Sequence, residues 1–302
     1  MSEALPPTID PIAAARWHAL LPDESPWLHE EVARRMQERL QWIVKAPATW
    51  CDWDPLRGGM QGHALVGERF AQAQSQIAET SSPRGEALAR ARLTRPWWSP
   101  ARWSAAAPRF GLPAEGSQQM IWSNMALHMA SAPQALLAQW HRALAVDGYL
   151  MLSCLGPDTL RELRALYAEL GWPAPGHVLT DMHDWGDMLV QAGFAEPIMD
   201  MERITLTFAT PQRLLQELRG LGRNLHPRRF AALRGRNWRA SLEQALAGRL
   251  ADPQQDGKLA LTFEIVYGHA FKPAPRVRVE GSSAVSLQDM RNMLKSGRTP
   301  AR

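Results

Sequence analysis

Two apolar runs with an amphipathic segment between them constrain the fold more than any other part of the chain. Met120 to Trp122 is the first run and Tyr149 to Leu155 is the second, and each is short enough to be a buried strand. Between them, apolar side chains recur at helical spacing, with Ser131 as the expected N-cap of the helix. A strand, a helix and a strand in this order form a βαβ unit, which implies a parallel sheet with helices on both faces.

Polar residues follow both predicted strands. Ser123 and Asn124 end the first strand, and Gly156 to Asp158 form a turn after the second. In open α/β sheets, ligands bind outside the carboxyl ends of the strands. These residues therefore mark a candidate binding site.

Two segments of this stretch, WSNMALHM at 122–129 and GPDTLRELR at 156–164, resemble motifs of one enzyme family. That family is the malonyl-acyl-carrier-protein O-methyltransferases of biotin synthesis, which are class I methyltransferases that depend on S-adenosylmethionine. The resemblance extends from the region of Asp10 to Pro273 and is strongest from Trp122 to Phe194. The arginine hydroxylases that serve as assembly factors of respiratory complex I carry a similar pattern.

The resemblance implies an α/β fold, with a doubly wound, mostly parallel, seven-stranded methyltransferase sheet and an inserted helical cap. In the first segment, Ser25 is the expected N-cap of a helix. Pro, Ser, Gly and Arg dominate the last segment without periodicity, which predicts disorder. The expected segments are an N-terminal helical segment (1–44), a Rossmann-like methyltransferase core (45–155), a cap or insert with α/β elements (156–256), the final core strand (257–272) and a disordered tail (273–302).

The turn after the first predicted strand, Thr49 to Trp53, departs from the family pattern. Asp54 and Leu56 stand where the family has its first two glycines, and Gly58 alone stays in register. Glycines there let the backbone approach the donor and turn into a helix. We expect Leu56 to bring a branched side chain against the cofactor, and Pro55 removes an amide donor.

The other residues that the resemblance assigns to S-adenosylmethionine lie at the ends of the first, second and fourth strands. Glu79 is the strongest of them, because a carboxylate at the end of the second strand accepts both ribose hydroxyls in nucleoside-binding α/β folds. The alternative is that Glu79 is an ordinary surface carboxylate. The predicted cofactor-binding residues are Asp52, Arg57, Gly58, Gly59, Glu79, Ser123 and Asn124.

Three tryptophans, Trp97, Trp98 and Trp103, occupy the place of the family's third strand and the acidic residue near adenine. Tryptophan rings can stack on adenine, fill a collapsed pocket or offer a surface to a partner. The sequence leaves these three roles open.

Methyl transfer needs alignment of donor and acceptor and exclusion of water, so no fixed catalytic triad is expected. A malonyl carboxylate requires a positive partner, for which Arg161 is the first candidate and Arg164 the second, although both could be solvated arginines on a helix. Asn124 is expected to line the donor pocket, or to bond the loop backbone instead. His128 is predicted to be a packed core histidine rather than a catalytic base.

The segment from Arg219 to Arg239 is strongly basic and falls in the expected cap. Acyl carrier proteins are acidic, so this segment could dock one by electrostatic steering. A basic patch also suits RNA backbone, and a charge run is often only a solvated face. Carrier-protein docking is favoured here over nucleic acid.

Composition and motifs exclude other classes. The chain has neither CxxC nor HExxH spacing, no P-loop and no GxSxG, so metal and hydrolase sites have no support. The net charge of +4 is mild, and Cys51 and Cys154 fit two core thiols in a reducing compartment. No signal peptide and no apolar run of about 20 residues is visible, which predicts a cytoplasmic protein without a membrane segment.

Three functional hypotheses follow. The first is an S-adenosylmethionine-dependent O-methyltransferase that acts on the malonyl carboxylate of an acyl carrier protein in biotin synthesis. The second is a methyltransferase-like binding or assembly factor that has lost the donor site, which Asp54 and Leu56 favour. The third is a hydroxylase that resembles the complex I assembly factors.

Overall fold

The computed structural model describes residues 9–94, 107–230, 232, 234–252, 256–275, 288 and 291. Within these residues, strands and helices alternate along the first half of the chain. The strands are β1 (Thr49–Trp53), β2 (Gln74–Ala78), β3 (Arg109–Phe110), β4 (Gln118–Asn124), β5 (Leu144–Leu155), β6 (Ala195–Phe208), β7 (Ala251–Asp252) and β8 (Lys258–Phe271). The helices are α1 (Pro11–His18), α2 (Trp27–Arg39), α3 (Pro55–Gly58), α4 (Met60–Arg69), α5 (Pro83–Leu93), α6 (Pro133–Ala143), α7 (Arg161–Glu169), α8 (Met182–Gln191), α9 (Pro211–Leu221) and α10 (Arg236–Arg249).

The strands form one mixed sheet in the order β3-β2-β1-β4-β5-β8-β6, and β7 pairs with β8 beside this path. β3, β2, β1, β4 and β5 are parallel, whereas β8 runs antiparallel to both β5 and β6. The predicted doubly wound α/β fold is confirmed. The boundary of the cap at 156–256 stays a prediction, and the structure places β6 from within that segment in the main sheet.

Side chains of β5 alternate between two hydrophobic clusters, because successive side chains of a strand point to opposite faces. Tyr149 and Met151 pack with Val32 of α2 in one cluster. Leu150 and Leu152 pack in the other cluster, which includes residues of α6 and α8. The sheet is therefore covered on both faces, which explains why its central strands are continuously apolar.

Two of the predicted helix caps are wrong. Ser131 does not cap α6, because the helix begins at Pro133 with Ala132 at the N-cap and no side-chain cap bond. A proline at the first helical position has no N–H that needs a cap. Ser25 does not cap α2 either: its hydroxyl donates to the Leu56 carbonyl at 3.1 Å and accepts from the Met60 amide at 3.2 Å.

Two cysteine thiols lie in the core of the sheet. Cys51 on β1 and Cys154 on β5 are both free and fully buried. Burial raises the pKa of each thiol above its ordinary value, for Cys51 with a further contribution from Asp52. The prediction of two core thiols is confirmed. Among the described residues, no helix is long and apolar enough to cross a membrane.

Candidate functional site

A cavity of about 480 Å³ opens at the carboxyl ends of β1, β2 and β4. Trp53 and Asp54 contribute to its wall from the end of β1, Glu79 from the end of β2 and Asn124 from the end of β4. Its volume lies in the range of small-molecule and cofactor pockets. We call it the first cavity. It occupies the place where open α/β sheets bind ligands.

The turn after β1 keeps its shape without the first family glycine. Asp54 adopts a left-handed conformation with φ of 54°, which aspartate tolerates better than most residues. Its carboxylate accepts hydrogen bonds from the Thr80 amide at 2.7 Å and the Thr80 hydroxyl at 2.9 Å. Pro55 is the first residue of α3, where a missing N–H leaves no bond unmade.

Leu56 borders the first cavity, as Asp54 and Gly58 do, but its side chain is packed into the core. The residue is 1% exposed and packs with Ile77 and Ala89, between β2 and α5. Its amide donates to a Glu79 carboxylate oxygen at 3.3 Å. The leucine therefore fills the core beside the turn, and a cavity of about 480 Å³ remains next to it. That the side chain limits a bound cofactor stays a prediction.

The two glycines that follow are required by close contacts. A Cβ on Gly58 would lie 3.1 Å from the Asn124 carbonyl oxygen. Gly59 has φ of 137°, and a Cβ there would lie 2.9 Å from a Glu30 carboxylate oxygen. Gly58 lines the first cavity. Gly59 instead lets α3 turn into α4.

Glu79 lies at the wall of the first cavity and is 9% exposed. Its carboxylate accepts bonds from the Leu56 amide and from the Ser81 hydroxyl at 2.5 Å. Burial raises the pKa of Glu79, and the nearby Asp54 carboxylate raises it further. A carboxylate has about four acceptor positions, so this side chain keeps capacity for further donors such as ribose hydroxyls.

Asn124 ties four parts of the chain together. Its amide nitrogen donates to the carbonyl oxygens of His29, at 2.8 Å, and of Gly58. Its amide oxygen accepts from the Ser153 hydroxyl at 2.5 Å. The side chain thus holds the loop that forms the cavity wall, and a direct contact with a ligand stays a prediction.

Helix α1 covers the first cavity and is fixed by Arg57. The guanidinium donates to the carbonyl oxygens of Trp17, at 3.4 Å, and Leu20, and it lies 3.8 Å from the centre of the Trp17 ring. Burial lowers the pKa of Arg57 to about 10. At the other end of α1, the Asp10 carboxylate pairs with Arg229 at 2.6 Å.

A second cavity of about 550 Å³ lies between α7, α9 and α10. Its walls are largely apolar, with Leu163, Leu218 and Trp238 among them. Met129 lines both cavities, so the two are neighbours. The arginines in its walls are Arg164, Arg219, Arg223, Arg229, Arg234 and Arg239.

Comparison with known proteins identifies the family. A malonyl-[acyl-carrier protein] O-methyltransferase of Laribacter hongkongensis is 40% identical over 263 residues, which cover 85% of this chain and 86% of that protein. The enzyme of the same name from Gallionella capsiferriformans is 38% identical and covers 87% of this chain and 90% of its own length. That of Halorhodospira halophila is 35% identical and covers 82% of each chain. This chain belongs to the malonyl-[acyl-carrier protein] O-methyltransferase family. No model of a protein family matches the chain.

Solved structures support the fold of this family member. A putative methyltransferase from Bacillus halodurans superposes with a TM-score of 0.52 at 14% identity, covering 81% of this chain and all of the other. The resemblance predicted from the two motifs, with its methyltransferase fold, is confirmed.

The carboxylate clamp stays a prediction, but the structure places its two candidate arginines differently. Arg161 does not line either cavity; its side chain is 54% exposed and bonds Glu162 at 3.1 Å. Arg164 lies one turn further along α7, is half-buried and lines the second cavity. Burial of Leu163 and Tyr167 on the inner face of α7 fixes which arginine faces the cavity.

Two of the predicted cofactor residues lie behind the cavity wall. The Asp52 carboxylate bonds the His63 ring at 2.8 Å, and burial raises its pKa. Ser123 is fully buried, and its hydroxyl has no partner among the described residues. Neither lines the first cavity, whereas the next residues, Trp53 and Asn124, do, because successive side chains of a strand point to opposite faces of the sheet.

His18 was not among the predicted site residues, yet its ring bonds the Thr80 hydroxyl at 2.9 Å, and both residues line the first cavity. No motif in the sequence connects His18 with Thr80, because the two residues are 62 positions apart and meet only in the folded chain. Trp97, Trp98 and Trp103 lie outside the described residues, so their roles stay open.

Proposed function

We propose that the protein methylates the free carboxylate of a malonyl thioester carried by an acyl carrier protein, with S-adenosylmethionine as the donor. One observation carries the proposal. The first cavity, at the nucleoside-binding edge of the sheet, adjoins a second cavity whose walls combine apolar side chains with arginines, and Met129 belongs to both. Donor and acceptor would then meet at this residue.

The first cavity has groups that suit the donor. Glu79 offers acceptor capacity for ribose hydroxyls, and Gly58 allows close approach of the backbone. Asp54 and Glu79 both line this cavity, and their carboxylates, when ionised, attract a sulfonium cation. Burial raises the pKa of both groups, and a bound cation would oppose that shift. Leu56 is packed against Ile77 and Ala89, and a cavity of about 480 Å³ remains beside it, so the replaced glycines leave room for the donor.

The acceptor side needs a cation rather than a base. The donor supplies a methyl group on a positively charged sulfur, so that an acceptor carboxylate oxygen displaces the neutral thioether and no proton has to move. Arg164 would hold that carboxylate, since it lines the second cavity and forms no ion pair within the described part of the chain. Helix α1 would keep water from the reacting atoms.

The basic segment from 219 to 239 supports docking of an acidic carrier protein. Several of its arginines line the second cavity, while Arg228 is exposed on its outer side and does not line the cavity. An arm attached to a docked carrier protein could enter the cavity beside them. Electrostatic steering of this kind weakens as ionic strength rises.

The first experiment separates an enzyme from a binding factor. Calorimetry should detect binding of S-adenosylhomocysteine, and transfer of a labelled methyl group to malonyl-acyl carrier protein should be measurable. Glu79→Gln should weaken S-adenosylhomocysteine about 10-fold or more, because it removes charge-assisted hydrogen bonds. Glu86→Gln is the control, as Glu86 pairs with Arg90 on the exposed side of α5. Absence of heat at millimolar ligand would favour the binding-factor hypothesis.

The second experiment tests the acceptor clamp. Arg164→Met should reduce kcat/KM for malonyl-acyl carrier protein by about 100-fold, since a buried carboxylate loses its cation. Arg161→Met, on the same helix, should stay close to the wild type. Equal losses in both variants would show that the clamp lies elsewhere.

The third experiment tests docking. Added salt should lower kcat/KM for malonyl-acyl carrier protein more than for malonyl-pantetheine, which carries no protein. Arg228→Glu should reduce the first value and leave the second unchanged. Arg109→Glu, on β3 at the opposite edge of the sheet, is the control. A salt dependence shared by both substrates would contradict docking through this segment.

A further inference from the structure

His128 is a buried polar side chain without a partner. It lies in a short turn of 3-10 helix, Leu127–Met129, that follows β4, and it is 4% exposed. Neither ring nitrogen has a hydrogen-bond partner among the described residues. Most buried polar groups in proteins are paired, so an exception at a cavity wall points to a missing ligand.

The surroundings of His128 keep its ring uncharged. Burial lowers its pKa well below the ordinary value for histidine, and the neighbouring His29 and His177 lower it further. A neutral imidazole carries one N–H donor and one acceptor nitrogen. Leaving both unsatisfied inside the protein costs free energy that a bound polar group would recover.

The neighbouring histidines do not satisfy the ring. His177 bonds the backbone carbonyl of His128 at 3.0 Å rather than the imidazole. His29 uses its Nδ1 on the Arg57 carbonyl at 2.8 Å. His29 Nε2 and His177 Nδ1 are likewise without a partner among the described residues. His128, like His177, lines the second cavity, from which a ligand can reach this group of rings.

We propose that the His128 ring donates a hydrogen bond to an oxygen of the acyl group bound in the second cavity. This inference rests on the proposed function and adds a second contact to the acceptor. Arg164 reaches the cavity from α7, whereas His128 reaches it from the end of β4, directly before the shared residue Met129. Two contacts from different elements fix the orientation of the acyl group relative to the donor. A single ion pair would leave it free to rotate.

The test compares His128→Leu with His128→Gln. The leucine variant should raise KM for malonyl-acyl carrier protein about 10-fold, because it removes the donor from a buried site. The glutamine variant keeps an N–H donor and should recover most of that loss. Both should bind S-adenosylhomocysteine as the wild type does. The melting temperature of the free leucine variant should not fall, since the histidine has no hydrogen bond to lose.

His269→Leu is the matched control. Its Nε2 is also unpartnered, but it lies on β8 and lines neither cavity, so its KM should equal that of the wild type. A His128→Leu variant with unchanged KM and kcat would overturn the inference. So would a fall in melting temperature with a matching loss of S-adenosylhomocysteine binding, because both would indicate a structural role.

A binding measurement separates this inference from the proposed function. Malonyl-pantetheine is titrated by calorimetry into wild type and His128→Leu, both saturated with S-adenosylhomocysteine. Turnover by the wild type with equal binding in the two proteins would overturn the role of His128 alone. Absence of both turnover and binding in the wild type would overturn the proposed function and this inference with it.

Discussion

At the scale of single residues, the side chain of Leu56 decides whether the first cavity can hold a ligand. It fills a small cluster with Ile77 and Ala89 and is 1% exposed. Leu56→Ala should lower the free energy of unfolding by about 2 to 5 kcal/mol, because it leaves a cavity in the core. Chemical denaturation measures this change.

Leu112→Ala is the control for that measurement. Leu112 lines the first cavity and is 58% exposed, so its truncation should change stability by no more than about 0.5 kcal/mol. If Leu56→Ala instead tightened S-adenosylhomocysteine strongly at unchanged stability, the leucine would be an obstruction after all.

His29 makes the same region sensitive to acid. Burial lowers its pKa to about 4, although its bond to the Arg57 carbonyl opposes this. The unfolded chain binds a proton near the ordinary histidine value of about 6.5, and the folded chain does not. His29 therefore contributes stability above pH 6.5 that is lost as the pH falls toward 4.

His29→Gln should remove this contribution to the pH dependence. Relative to the wild type, the variant should gain about 2 to 3 kcal/mol of unfolding free energy between pH 6.5 and 4. Parallel denaturation curves at several pH values measure the difference. A difference that stays constant over this range would show that His29 titrates normally.

At the scale of elements, α2 and α4 pack at a distance that only glycine allows. A Cβ on Gly62 would lie 2.4 Å from the Ala33 Cβ, whereas a Cβ on Gly67 of the same helix would meet no atom within 4 Å. Gly62→Ala should destabilise the protein by about 1 to 3 kcal/mol through overpacking. Gly67→Ala should stabilise it by about 0.5 to 1 kcal/mol through helix propensity.

Thermal unfolding of the two glycine variants provides the measurement. Both changes add one methyl group to α4, so a shared direction of effect would contradict the packing argument. The contact also bears on the site, since α2 supplies the His29 carbonyl that binds Asn124.

Strands and helices with a strong periodic pattern could be predicted from the sequence. The residues that cap the helices could not always be predicted. The run from 258 to 271 alternates apolar residues and is a strand, as expected. The caps at Ser25 and Ser131 were wrong because proline at or near a helix start changes what the first turn needs. Asp181 does cap α8, where no proline intervenes.

At the scale of the whole molecule, the sequence predicted the fold and the edge of the sheet that carries the first cavity. It could not predict the second cavity, because segments near residues 128, 164, 177, 219 and 239 meet only in the folded chain. The choice between Arg161 and Arg164 depends on the face that α7 buries. The packing of the Leu56 side chain depends on Ala89 of α5, which is distant from it in sequence.

The two core cysteines allow the unfolding rate of the whole sheet to be measured. Cys51 and Cys154 lie on different strands, are fully buried and have raised pKa values, so alkylating reagents cannot attack them in the folded protein. Modification by iodoacetamide should proceed at one common rate for both sulfurs, as mass spectrometry would record. That rate would report the unfolding of the sheet without any added label.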